Sequence, residues 1–117
     1  MFKTIALYKD IEDAEAFEAF YVNEFIPKML SLPGVVKLKV NRLLPAPFGE
    51  RGGQEESYFL LCETYYESAE AMQKVIQSPE GLEAASMIME KASKFMTVYV
   101  GKEEVYSKSS PSVSSAG

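Results

Sequence analysis

The chain has 117 residues, of which 47% are hydrophobic and 25% charged, and its 12 basic and 17 acidic side chains leave a net charge of −5. That is one domain with a real core, and an acidic surface excludes a phosphate backbone or an anionic membrane as the main partner. One cysteine (Cys62) and no histidine exclude an internal disulfide and remove the commonest general base and transition-metal ligand.

The opening MFKTIALYKD holds too short an apolar run for a signal peptide, and no 18-residue apolar stretch follows, so the expected location is cytoplasmic. Residues 3–9, KTIALYK, read as a strand. Asp10 to Asp13 supply acidic groups suited to a helix start. From Ala14 the apolar residues Phe17, Tyr21, Phe25 and Met29 recur at helical spacing, with Pro27 as a late kink or last turn. Leu32-Pro33-Gly34 stops that helix. Residues 35–44, VVKLKVNRLL, alternate apolar and polar with period two and read as a second strand. The Pro- and Gly-rich stretch 45–55 reads as an exposed loop. Its GERGG, residues 49–53, lacks the strand–helix context of a phosphate loop.

Residues 57–66, SYFLLCETYY, are apolar almost throughout and read as a central strand buried on both faces. Ser68 caps a helix carrying Ala71, Met72, Val75 and Ile76. Ser78-Pro79-Glu80-Gly81 interrupts it, and Pro79 opens another helix carrying Leu82, Ala85, Met89 and Ala92. Residues 95–106 read as the last strand. The domain is expected to span residues 1–106, and 107–117 form a Ser-rich tail of disordered composition.

The order βαββαβ predicts a ferredoxin-like α+β subunit: a four-stranded antiparallel sheet with helices on one face. Side-chain parity then sorts the strands. Lys37, Lys39 and Asn41 belong on the open face, and Val36, Leu38 and Val40 under the helices. A charged Glu63 beneath the helices would be costly unless paired. It is therefore placed on the open face beside Lys37 or Lys39, together with Phe59, Leu61 and Tyr65. Leu60, Cys62 and Thr64 then turn inward. The same logic sends Ile5, Leu7, Val98 and Val100 inward and leaves Thr4, Ala6, Tyr8, Thr97 and Tyr99 open. Such a mixed face suits a second identical sheet, closing a dimeric α+β barrel around a pocket.

The segments KTIALYK, AFEAFYVNEFIPKML, LPGVVKLKVNRLL and YFLLCETYYES and the SPEG break, spanning roughly residues 2–104, together resemble the EthD-like family of the dimeric α+β barrel superfamily. The resemblance implies a homodimer with a pocket between sheet and helices. It also implies an oxidoreductase label or no defined reaction, among relatives that act on aromatic or polyketide-like compounds. Many members carry Tyr-x-x-x-His-x-Pro. Here Tyr21 and Pro27 match, but Phe25 stands at the histidine position, and Ser78 stands where some relatives have a second histidine. A histidine acid/base role therefore does not carry over, and a haem iron would lack its axial histidine.

The candidate acid/base is Glu63, whose alternative is a structural ion pair at the dimer seam. Tyr8, Tyr65 and Tyr99 are candidate hydrogen-bond donors to a carbonyl or phenol ligand. Phe25, Lys37, Lys39, Asn41, Phe59 and Leu61 complete the expected lining. Cys62 reads as a buried structural thiol. No metal and no cofactor are expected. The partners are a second copy and a small apolar or aromatic ligand, with no nucleic acid and no membrane. Three functions remain open: an EthD-like small-molecule enzyme, a cofactor-free monooxygenase, and a non-catalytic binding protein that lacks the family histidine.

Overall fold

The structure, a computed structural model, describes residues 1–44 and 58–108. The expected loop at 45–55, with GERGG, and the tail beyond residue 108 lie outside the described residues. The elements run β1 (Phe2–Lys9), α1 (Ala14–Phe20), a wide π-turn (Tyr21–Phe25), α2 (Ile26–Leu30), β2 (Val35–Arg42), β3 (Tyr58–Tyr66), α3 (Ala69–Gln77), α4 (Pro79–Ala92) and β4 (Met96–Lys102). This is the ferredoxin-like α+β arrangement. The sheet order is β2-β3-β1-β4, and every neighbouring pair is antiparallel. Among the described residues no helix is long and apolar enough to cross a membrane.

Local chemistry accounts for the breaks. Asp13 caps α1 by accepting a hydrogen bond from the Ala16 amide at 3.0 Å. Ser68 caps α3 in the same way, accepting from the Ala71 amide at 3.0 Å. The helix carries Pro27 in its last turn, one of the two expected readings. It widens one turn earlier, where the Ile26 amide donates to the Tyr21 carbonyl, five residues back. The wide turn gives the proline ring space that a regular α-turn would deny it. After α2, Gly34 takes φ +95°, a backbone that a side chain would strain.

Paired residues in an antiparallel sheet share a face, so the register tests the parity assignment directly. For β2 and β3 the assignment stands: Lys39 is opposite Glu63, Asn41 opposite Leu61, and Val40 opposite Cys62. Leu60, Cys62, Thr64 and Tyr66 are buried on the helix side. For β4 it stands too, since Val98 is opposite Ala6 and Tyr99 opposite Ile5.

For β1 the expected faces are reversed. Thr4 pairs with Thr64, Ala6 with Cys62 and Tyr8 with Leu60, all on the helix side, while Ile5 lies opposite Glu63 and Leu7 opposite Leu61 on the open face. Tyr8 is the bulky residue that fills space beneath α1, its ring 4.9 Å from Phe17. Two β-bulges make the remaining corrections. One, at Tyr8/Lys9, lets Phe59 pack on the core, its ring 6.5 Å from Phe17, so Phe59 does not join the open-face set. The other, between Val35 and Lys37, gives Val35 the inward position expected of Val36, which is 42% exposed.

Helix α4 is also rotated from its expected stripe. It buries Gly81, Ala84, Ile88 and Ala92, while Leu82 and Met89 stay exposed. The aromatic core gathers Tyr8, Phe17, Phe20, Tyr21 and Phe25 between α1, the π-turn and the sheet. Each such side chain contributes roughly 2–3 kcal/mol on burial.

Candidate functional site: a cavity between sheet and helices

Two places gather polar and aromatic side chains, one on each side of the sheet. On the helix side a cavity of about 310 Å³ lies between β1 and β3 below and the helices above. The small side chains of Ala6 and Ala85 leave it unfilled, and Phe25, Met29 and Ile88 wall it. Ile76, Leu82, Met89 and Val98 line it while remaining about half exposed, so its mouth is apolar and reaches solvent. The π-turn brings both Tyr21 and Phe25 to the wall, with ring centroids 4.9 Å apart.

Inside, the Tyr21 hydroxyl faces the Cys62 thiol and the Tyr8 hydroxyl, each close enough to perturb the others' ionisation. Burial pushes the Cys62 thiol up to about 11 and raises Tyr8 and Tyr21 above the ordinary phenol range. Burial raises Tyr66 as well, opposed by the hydroxyl of Thr4 facing it. All four groups are therefore neutral at physiological pH. No Asp, Glu, Lys, Arg or His lines the cavity among the described residues. It can donate hydrogen bonds, exclude water and orient an apolar molecule. It holds no ionised acid or base.

The open face carries the charge. Lys3 donates to Glu63 Oε2 at 2.5 Å and to the Tyr65 hydroxyl at 3.3 Å, and lies 3.8 Å from Glu103 Oε2. Tyr65 in turn donates to Glu103 Oε2 at 3.3 Å. Burial pulls the Lys3 ammonium down, but Glu63 and Tyr65 outweigh it, and its pKa is raised overall. The ammonium groups of Lys3, Lys37 and Lys39 stand 5.0, 4.8 and 5.1 Å from the centre of the Tyr65 ring. Tyr65, between them, is 1% exposed.

The ion-pair partner of Glu63 is thus Lys3, not Lys37 or Lys39. The Tyr65 ring draws those two ammoniums, while Lys3 sits where two carboxylates and a hydroxyl converge. Asn41, Leu61 and Tyr99 share this face. Of the expected site residues, the cavity collects only Tyr8 and Phe25. Glu63, Lys37, Lys39, Asn41, Leu61, Tyr65 and Tyr99 stand on the other side of the sheet.

Sequence reasoning did not single out Tyr21, Cys62, Thr4, Thr64 or Tyr66 as site residues. The available signal was polar groups, Thr4, Thr64 and a thiol, at strand positions facing apolar helices.

A four-stranded sheet with an apolar cavity beneath its helices and a mixed, half-covered opposite face defines a ferredoxin-like α+β domain. The chain belongs to the EthD family: the EthD domain profile matches residues 9–98. An ethyl tert-butyl ether d (EthD) family protein from Bacillus halodurans C-125 shares 35% identity and superimposes with a TM-score of 0.75, covering 88% of this chain and 98% of its own. A hydroxynitrile lyase from Passiflora edulis has the same fold at 15% identity and TM-score 0.65, covering 86% of this chain and 90% of its own. So does a dimeric ferredoxin-like protein of unknown function from Jannaschia sp. CCS1, at 10% identity and TM-score 0.60, covering 87% and 98%. No curated protein sequence matches the chain.

Proposed function

We propose that this EthD-family chain is a homodimer whose subunits each hold an apolar or aromatic small molecule in the cavity between sheet and helices, and that it acts on that molecule as an enzyme. The observation that carries this reading is the cavity itself, about 310 Å³, walled by Phe25, Met29 and Ile88 and open through an apolar mouth. That volume lies at the lower end of small-molecule sites. With its phenols and thiol neutral, the site would act by positioning, desolvation and hydrogen bonding at a developing charge. The dimer reading is supported by Ile5, Leu7 and Leu61 on the open face beside the lysine–tyrosine cluster, and by the dimeric description of the Jannaschia relative.

A panel of phenolic and polycyclic aromatic compounds, screened by thermal shift, tests the cavity. Saturable stabilisation of the wild type that Ala6→Leu abolishes is expected, because leucine at position 6 fills the space. Stabilisation that survives Ala6→Leu would place the ligand elsewhere and sink the reading.

A non-catalytic binding protein is the second reading. It is favoured by Phe25, which occupies the family's histidine position in the cavity wall. Bound ligands recovered chemically unchanged after long incubation with oxygen would select it.

A further inference from the structure

In the cavity Tyr21 faces Tyr8 and Cys62, and Tyr66 faces Thr4, whereas the Thr64 hydroxyl faces no such partner. Thr64 is 6% exposed, lines the cavity, and its hydroxyl makes no hydrogen bond among the described residues. A buried hydroxyl without a partner costs free energy, and native proteins rarely leave one so. Its surroundings are patterned. Thr4 lies directly opposite on β1, and Tyr66 follows two residues along β3 on the same face. One end of the cavity floor is therefore lined by three hydroxyls. Ala6 and Cys62 form its middle, and Tyr8 with Tyr21 its far end, roughly 13 Å along β1 from Thr4 at 3.3–3.4 Å per residue.

We infer that the ligand is an uncharged, elongated apolar compound carrying a hydrogen-bond-accepting oxygen, a ketone or quinone carbonyl, which the Thr64 hydroxyl receives. This rests on the cavity reading above and narrows it. Thr64 is then a specificity-determining residue. The oxygen must be uncharged because no cation lines the cavity, and a carboxylate there would be desolvated without a counter-charge. The rest of the molecule must be apolar because the walls and mouth are.

A matched set of naphthalenes tests this on the full chain, read by their own fluorescence: 2-acetylnaphthalene, 2-isopropylnaphthalene and 2-naphthoate. The wild type should bind the ketone tightest and the naphthoate at least tenfold more weakly. Thr64→Val, which keeps the side-chain volume, should weaken the ketone about tenfold and leave the hydrocarbon unchanged. Thr64→Ser should restore the ketone. If Thr64→Val does not fold, Thr64→Ala carries the same comparison.

Ketone binding that ignores Thr64→Val would mean that water satisfies the hydroxyl, and it would overturn the inference while the cavity reading stood. Naphthoate bound as tightly as ketone would do the same. If none of the three binds the wild type, the inference and the cavity reading fall together.

Discussion

The rings of Tyr21 and Phe25 lie 4.9 Å apart at an interplanar angle of 33°, and both face the cavity. Phe25 is 8% exposed, so Phe25→His should cost about 2–3 kcal/mol in urea unfolding through lost apolar burial and a desolvated imidazole. The chain has no other histidine, so one proton resonance would report the new group. Its midpoint should fall below the ordinary ~6.5. Stability should then be full above that value and decline as the pH drops through it. A midpoint at or above 6.5 would mean that water fills this wall.

Alkali should loosen the fold from about pH 9. The Cys62 thiol ionises near 9.0 in the unfolded chain and near 11 in the folded one. Between those values the unfolded state holds fewer protons, so stability is complete below 9 and falls as pH rises through the window, by on the order of 2 kcal/mol. Tyr8 and Tyr21, ordinarily near 10.0 and raised by burial, extend the loss upward. Melting temperature against pH should therefore begin to drop near 9 in the wild type and near 10 in Cys62→Ala. Identical onsets would show that the thiol is not desolvated.

Lys3 should matter more than Glu63. Removing Glu63 leaves Lys3 with Glu103 and Tyr65, whereas removing Lys3 leaves two carboxylates without their shared cation. Glu63→Gln should cost about 1 kcal/mol and Lys3→Met about 2 kcal/mol by denaturant titration. The reverse order would contradict the network.

Gly81 sits at the α3–α4 break, where a Cβ would lie 1.8 Å from the Val75 carbonyl oxygen. Both are backbone-anchored, so Gly81→Ala must move one helix relative to the other. A loss of about 3 kcal/mol or more, or failure to fold, is expected. A variant with wild-type stability would rule out this close approach.

Tyr99 is 56% exposed on the open face, so Tyr99→Glu should leave far-ultraviolet circular dichroism unchanged. In the proposed dimer it would bury a charge at the seam and shift the gel-filtration mass toward 13.0 kDa, the mass of one chain. An unaltered elution position would exclude Tyr99 from any interface.

The element order and the central strand were legible because period and punctuation are local signals. The faces of β2 and β3 were legible because lysine and glutamate cannot sit under packed helices. In β1 the apolar Ile5 and Leu7 pointed the wrong way, although Lys3, which shares their parity, carried the correct signal: one charge outweighs two methyl-rich side chains. Bulges at Val36 and Phe59 were hidden because an extra residue leaves no compositional mark. The cavity was hidden for a related reason. It is made by what is small, Ala6 and Ala85, and Thr64, whose hydroxyl stays unpaired among the described residues, reads as an ordinary strand residue.

The wide turn at Tyr21–Phe25 behaves as one inserted residue in an otherwise regular helix, and each helical residue contributes about 100° of rotation. Because the wide turn absorbs that residue, Ile26–Leu30 keep the phase that sets Met29 on the pocket wall, and excising it would close the turn to a regular α-turn and remove the room it gives Pro27. A further residue gained in this segment, with no second wide turn to absorb it, would rotate Ile26–Leu30 by about 100° and redraw the pocket wall without disturbing a strand.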